Sequence, residues 1–95
     1  MPAYVIVNVN IHNPEGYEDY KKLTPASLLP FNGKFIVRGG QAEVLEGNEA
    51  PGRVVVLEFP DVAAAKAWWN SPEYARAREI RQRNATTQMI VVPGV

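Results

Sequence analysis

Apolar side chains gather along this chain in short blocks separated by Pro, Gly and Asn, and their period changes from block to block. Residues Tyr4 to Ile11 are dominated by valine and isoleucine and read as a first strand. Asn13-Pro14-Glu15 follows as a helix start: an asparagine placed to cap, a proline at the first helical position and an acid in the first turn. Tyr17, Tyr20 and Leu23 then recur at helical spacing as the inward stripe. Thr24-Pro25 repeats the cap signal, which predicts a kink or restart there and a short turn to about Leu29. Lys34 to Arg38 reads as a second strand, with Gly39-Gly40 as a bulge or bend after which pairing has room to resume through Glu46. Gly47 to Gly52, with Asn48 and Pro51, reads as a connecting loop. Arg53 to Phe59 is a third strand, ended by Pro60. Asp61 caps an alanine-rich helix through Trp69, which Ser71-Pro72-Glu73 interrupts before it resumes to about Arg83. Gln88 to Val92 is the last strand, stopped by Pro93-Gly94.

The order is βαββαβ, the split βαβ pattern of ferredoxin-like folds. Right-handed crossovers then give an α+β domain with a four-stranded antiparallel sheet and both helical segments on one face. A sheet with one solvated face alternates apolar with polar residues. Here the third strand reads Val54, Val55, Val56, Leu57 and the last reads Met89, Ile90, Val91, Val92. Helices cover one side only, so a second copy of the same sheet is the expected cover for the other, giving a homodimer through the sheet face.

Composition narrows the partners. Ninety-five residues suit a single domain, residues 1–95, too small to bury a large share of its own surface. Ten basic and ten acidic side chains cancel, which argues against a nucleic-acid or membrane-surface partner. With no cysteine and one histidine, His12, thiolate chemistry is excluded and a multi-histidine metal site within one subunit is impossible. No metal or organic cofactor is expected. The N-terminus lacks the basic stretch of a secretory signal, and no apolar run approaches the ~18 residues of a membrane span, so a cytoplasmic protein is the expectation.

Gly33-Lys34-Phe35, Arg38-Gly39-Gly40, Glu43-Val44-Leu45-Glu46-Gly47, Glu58-Phe59-Pro60, Ala67-Trp68 and Ser71-Pro72-Glu73-Tyr74 stand in an order that resembles the domain-of-unknown-function 1330 family over nearly the whole chain. The resemblance implies a ferredoxin-like subunit in a dimeric α/β barrel, and it implies no reaction. Its typical motif residues fall here on Arg38, Glu43, Glu58, Trp68, Ser71, Tyr74 and Arg81. Related dimeric barrels include cofactor-independent monooxygenases, muconolactone-type isomerases and haem-degrading enzymes. Asn8 and Trp68 are similar to two parts of the haem-degrading site, but its proximal histidine is missing: Arg76 and Arg78 stand in that region.

Several residues bear on chemistry. Arg38 and Glu58 are charges among apolar strand neighbours, and in a hairpin of the second and third strands they are expected to lie close. They read either as a structural ion pair or as a catalytic pair, Glu58 the general base and Arg38 the holder of an anionic group; a close arginine would lower the carboxyl pKa and weaken the base. Asn8 and Asn10 share a face with Tyr4 and Ile6, where they either bond to a strand edge or across a dimer, or polarise a substrate carbonyl. Trp68 and Trp69 cannot both face inward, being about 100° apart on a helix. Tyr20 and Tyr74, from different helices, are placed to meet near the sheet at a pocket mouth. Arg76, Arg78, Arg81 and Arg83 suit the negative end of a helix dipole, and the Tyr74, Ala77, Arg81 line turns Arg81 inward. Three functions follow: a cofactor-independent enzyme on a small aromatic or carbonyl metabolite, with Asn8, Tyr20, Trp68, Tyr74 and Arg81 binding substrate; a non-catalytic small-molecule binding module using the same pocket; or a structural dimer with a filled core.

Overall fold

The computed structural model describes residues 1–49 and 51–95. Strand β1 (Ala3–Ile11) leads into helix α1 (Pro14–Leu28), a 3-10 turn (Leu29–Phe31) and β2 (Lys34–Arg38). After a long connection come β3 (Arg53–Phe59), α2 (Val62–Trp69), α3 (Pro72–Asn84) and β4 (Ala85–Pro93). The strands form one antiparallel sheet in the order β2-β3-β1-β4, the ferredoxin-like topology expected from the element order. No helix among the described residues is long and apolar enough to cross a membrane.

Each helix starts where its cap predicts. Asn13, Asp61 and Ser71 adopt extended backbone, and their side chains accept hydrogen bonds from Gly16 N, Ala64 N and Tyr74 N. The expected break at Thr24-Pro25 does not occur, and α1 runs through Pro25 as one helix. Proline removes one backbone donor there, but the Thr24 hydroxyl donates to Tyr20 O at 2.7 Å and the Ser27 hydroxyl to Thr24 O at 2.6 Å. Thr24, Ser27 and Leu28 are buried, so packing holds the last turn in place.

Two other expectations need correction. The bulge falls at Ile36, between Phe35 and Val37, and not at Gly39-Gly40; β2 ends at Arg38 and no described residue between Gly39 and Gly52 rejoins the sheet. Gly39 closes the strand with its N–H donating to Val54 O at 2.9 Å. Ala50, within the expected Gly47–Gly52 loop, lies outside the described residues. The last strand begins at Ala85, directly after α3, and reaches Pro93, which an edge strand tolerates because one row of its donors needs no partner.

Alternation along the strands separates the two faces of the sheet. Val5, Val7, Val9, Leu57, Phe59 and Ala85 point toward the helices and are buried. On them sits an aromatic chain: Phe59 to Trp68 at 5.4 Å, Trp68 to Tyr74 at 4.0 Å, Tyr74 to Tyr20 at 6.2 Å and Tyr20 to Tyr17 at 5.2 Å between ring centres. Trp68 is the tryptophan that faces the sheet. Trp69 lies at the surface, with the Arg78 guanidinium stacked 4.6 Å from its ring centre.

The opposite face carries no layer of its own, and the Cα trace measures 36 × 34 × 16 Å, the thickness of a sheet plus one helical layer. Register places Val37, Val56, Ile6 and Ile90 side by side across all four strands on this outer face. Ile6, Val37 and Ile90 are 37%, 39% and 49% exposed. The face is not apolar throughout. Asn8, Asn10, Thr86 and Gln88 make one end polar, and the Lys34–Glu58 pair lies at the other.

Trp68, fully buried at the centre of the aromatic chain, is the residue whose loss the core tolerates least. Trp68→Ala is expected to cost about 3–5 kcal/mol, measured by urea unfolding; a loss under about 1 kcal/mol would contradict this packing.

Candidate functional site

The bulge at Ile36 decides which side chains share a cleft. In an unbroken strand Phe35 and Arg38 would point to opposite faces. With one residue added, Val37 stands opposite Val56 and Arg38 opposite Val55, so Phe35 and Arg38 both face the helices. The Arg38 guanidinium lies over the Phe35 ring, 4.3 Å from its centre. Arg53, at the start of β3, shares the parity of Val55 and Leu57 and faces α1. Its guanidinium fills the space beside Gly39, where a Cβ would lie 2.3 Å from Arg53 Cζ; the φ of +74° at Gly39 disfavours a side chain independently.

Tyr17, Tyr20 and Thr24 of α1 form the opposing wall, with Lys21 at the rim and Val7, Val55 and Leu57 as the floor. The cleft encloses about 30 Å³, room for a small polar head and not for a whole ring. Its lining holds three cations, Lys21, Arg38 and Arg53, and no carboxylate. Glu18 neutralises Lys21 from outside, at 3.0 Å. Arg53 Nε is buried without a hydrogen-bond partner among the described residues, a costly state for a charged group.

Behind this cleft lies a second polar cluster. The Tyr20 and Tyr74 hydroxyls are 2.8 Å apart, and Arg81 Nε donates to Tyr74 Oη at 3.3 Å. Arg81 is buried, as its place on the inward line of α3 predicts, and no ion pair among the described residues includes it. Burial, reinforced by the neighbouring Tyr74 hydroxyl, pushes the Tyr20 phenol far above its ordinary value, with the Arg81 charge opposing. Tyr17 is pushed up as well, by burial and by Tyr20, while Arg53 and Arg81 pull it down. Both phenols are therefore neutral hydrogen-bonding groups, not bases.

The expected residues divide between the two faces. Arg38 and Glu58 do not pair: Glu58 stands opposite Lys34 on the outer face and binds it at 3.0 Å, whereas Arg38 is turned inward by the bulge. Glu58 is thus separated by the sheet from Tyr20, Trp68, Tyr74 and Arg81. Asn8 also points outward, and its Oδ1 accepts from Gly52 N at 3.0 Å, the strand-edge bond that was one of its two readings. Tyr20 and Tyr74 do meet, but Tyr74 has no exposed surface and belongs to the core, not to a pocket mouth. Trp68 is equally buried and donates from Nε1 to Ser27 Oγ at 3.0 Å. One side of it contributes to a separate cleft of about 200 Å³ between α2 and β4, with Trp69, Met89 and Val91. Sequence reasoning missed Lys21 and Arg53 and took Tyr17 for plain core. The parity of Arg53 with Val55 and Leu57 was the available signal.

A family model, Domain of unknown function (DUF1330), matches residues 2–95, and the chain belongs to that family. No curated protein matches. Among solved structures, a protein of unknown function from Rhodopseudomonas palustris is similar at 23% identity over 99% of this chain and 82% of that one, with a TM-score of 0.79. A dimeric ferredoxin-like protein of unknown function from Jannaschia sp. matches at 12% identity over 99% of this chain and 100% of that one, TM-score 0.73. SnoaB, a cofactor-independent oxygenase from Streptomyces nogalater, matches at 13% identity over 99% of this chain and 93% of that one, TM-score 0.67. At these identities the likeness speaks to the fold alone.

The raised tyrosines make a prediction at alkaline pH. Above their ordinary value, about pH 10, the unfolded chain releases phenolic protons that the fold retains. The unfolded state then binds fewer protons, so the stability these groups contribute is complete below about pH 10 and declines above it. Urea midpoints at about pH 8 and about pH 11 are expected to fall for the natural chain and to fall less for Tyr20→Phe. Equal falls would contradict the burial of this phenol.

Proposed function

We propose that this member of the DUF1330 family works as a homodimer, each chain contributing one domain, and that each subunit binds a small molecule in the cleft beneath α1. Two outer sheet faces packed together would close an α/β barrel and take the Val37, Val56, Ile6, Ile90 row out of water. The description of the Jannaschia protein as dimeric and ferredoxin-like supports this reading. For the ligand, the observation that carries the proposal is the cleft itself, in which cations converge on an aromatic and aliphatic lining with no acid to neutralise them.

Ring-bearing walls suit a small aromatic or carbonyl-bearing molecule, whose polar end enters while its body lies across the mouth. Binding is favoured over proton abstraction by the chain. Glu58 belongs to the far face, the cleft lining holds no carboxylate, and both phenols keep their protons. SnoaB, described as a cofactor-independent oxygenase, gives some support to a reaction needing no cofactor on this scaffold. In that case the acidity would have to come from the substrate.

Two measurements test the proposal. Ile6→Lys sets a charge in the middle of the outer row, and by size-exclusion chromatography it is expected to convert a dimer to a folded monomer; a variant that stays dimeric would place the interface elsewhere. In a fragment screen by NMR, small aromatic compounds are expected to shift the signals of Tyr17, Thr24 and Val55. Shifts confined to the Trp69–Met89 cleft would overturn the choice of site.

A further inference from the structure

We infer that the cleft beneath α1 is an oxyanion site, which accepts the carboxylate or phosphate head of its ligand between Arg53 and Arg38. This inference rests on the small-molecule reading above and adds the chemical class of what is held.

Three observations converge on it. Positive charge is concentrated without compensation: Lys21, Arg38 and Arg53 line the cleft, Glu18 satisfies Lys21 alone, and no acid lies in the lining. A cation cluster of this kind repels itself unless solvent or an anion intervenes. Second, Arg53 Nε is buried and has no acceptor among the described residues. A guanidinium donates in a fork that matches two oxygens of one anion, and the surrounding protein leaves part of that fork without an acceptor. Third, the cleft is narrow: about 30 Å³ is the space of one or two waters, so the end of a ligand enters it and not the body.

Two backbone features create the site. The bulge at Ile36 turns Arg38 inward beside Phe35, and Gly39 leaves the space that the Arg53 guanidinium fills. Tyr17 lines the same cleft from α1 and keeps its phenolic proton beside Arg53. Thr24 has its hydroxyl committed to Tyr20 O and adds shape only.

Benzoate, benzamide and inorganic phosphate, titrated separately into the labelled full chain, test the assignment by NMR of backbone amides and arginine Nε–Hε groups. Benzoate is expected to shift the Arg53 Nε signal and to bind at least about tenfold more tightly than benzamide, the gain a charge-assisted bond supplies. Added salt is expected to weaken it. Arg53→Gln and Arg38→Gln are each expected to reduce benzoate affinity at least about threefold and benzamide affinity by less. Phosphate binding as tightly as benzoate would assign the site to a phosphate head, and weaker binding to a carboxylate. Benzamide matching benzoate, or both variants binding benzoate like the natural chain, would overturn the oxyanion site while leaving the cleft as a small-molecule site. No response at the cleft to any of the three would remove both readings.

Discussion

Two helical segments on one side of a four-stranded sheet leave the other side without a layer, and the middle of that other side is apolar. A row of Val37, Val56, Ile6 and Ile90 runs across every strand, with Tyr4, Val54 and Val92 beside it. Burying such a row is worth roughly 25 cal/mol for each square ångström of apolar surface removed from water. For a chain whose own core rests on a single layer of aromatic rings, that is a substantial addition. The polar end at Asn8, Asn10, Thr86 and Gln88 limits how two sheets can face each other, because any arrangement has to keep those amides and hydroxyls supplied with partners. An apolar row between polar ends sets register as well as affinity.

The inner face obeys a different constraint. Phe59, Trp68, Tyr74, Tyr20 and Tyr17 run in contact from one edge of the core to the other, and the phenol groups are satisfied within the chain as far as Tyr74 and Arg81. Where this aromatic layer reaches the β2 edge it stops short of the sheet, and cations fill the remaining border. Trp68 and Tyr74 do not line the cleft beneath α1. Their rings fix α1, whose Tyr17 and Lys21 stand over the cleft. A single added residue at Ile36 supplies the rest, since without it Arg38 would join Lys34 on the outer face.

Much of this was legible in residue order. Valine-rich blocks and the capping signals at Asn13, Asp61 and Ser71 specify the elements, and the βαββαβ order with right-handed crossovers specifies the sheet. Arg81 was legible from helical spacing. Arg38 was misread because register sets Glu58 opposite Lys34 and a bulge turns Arg38 inward, and an apolar run such as Phe35, Ile36, Val37 contains no local mark of where the extra residue sits; Gly39-Gly40 was the more conspicuous candidate. Pro25 was misread for a comparable reason, since the burial of Thr24, Ser27 and Leu28 that holds the helix together past the lost donor is not visible in residue order. Arg53 went unnoticed because a charge at a strand end usually faces water; its parity with Val55 and Leu57 pointed inward, and its packing against Gly39 shows that direction.

The central claim is that the outer sheet face is covered by a second copy of the chain. Methyl NMR with a soluble paramagnetic agent tests it in the unmodified protein, using Leu45, 96% exposed, as the reference for full contact with solvent. The account predicts that the methyl groups of Ile6, Val56 and Ile90 are shielded at high concentration and gain relaxation on dilution. Relaxation comparable to that of Leu45 at every concentration would contradict it.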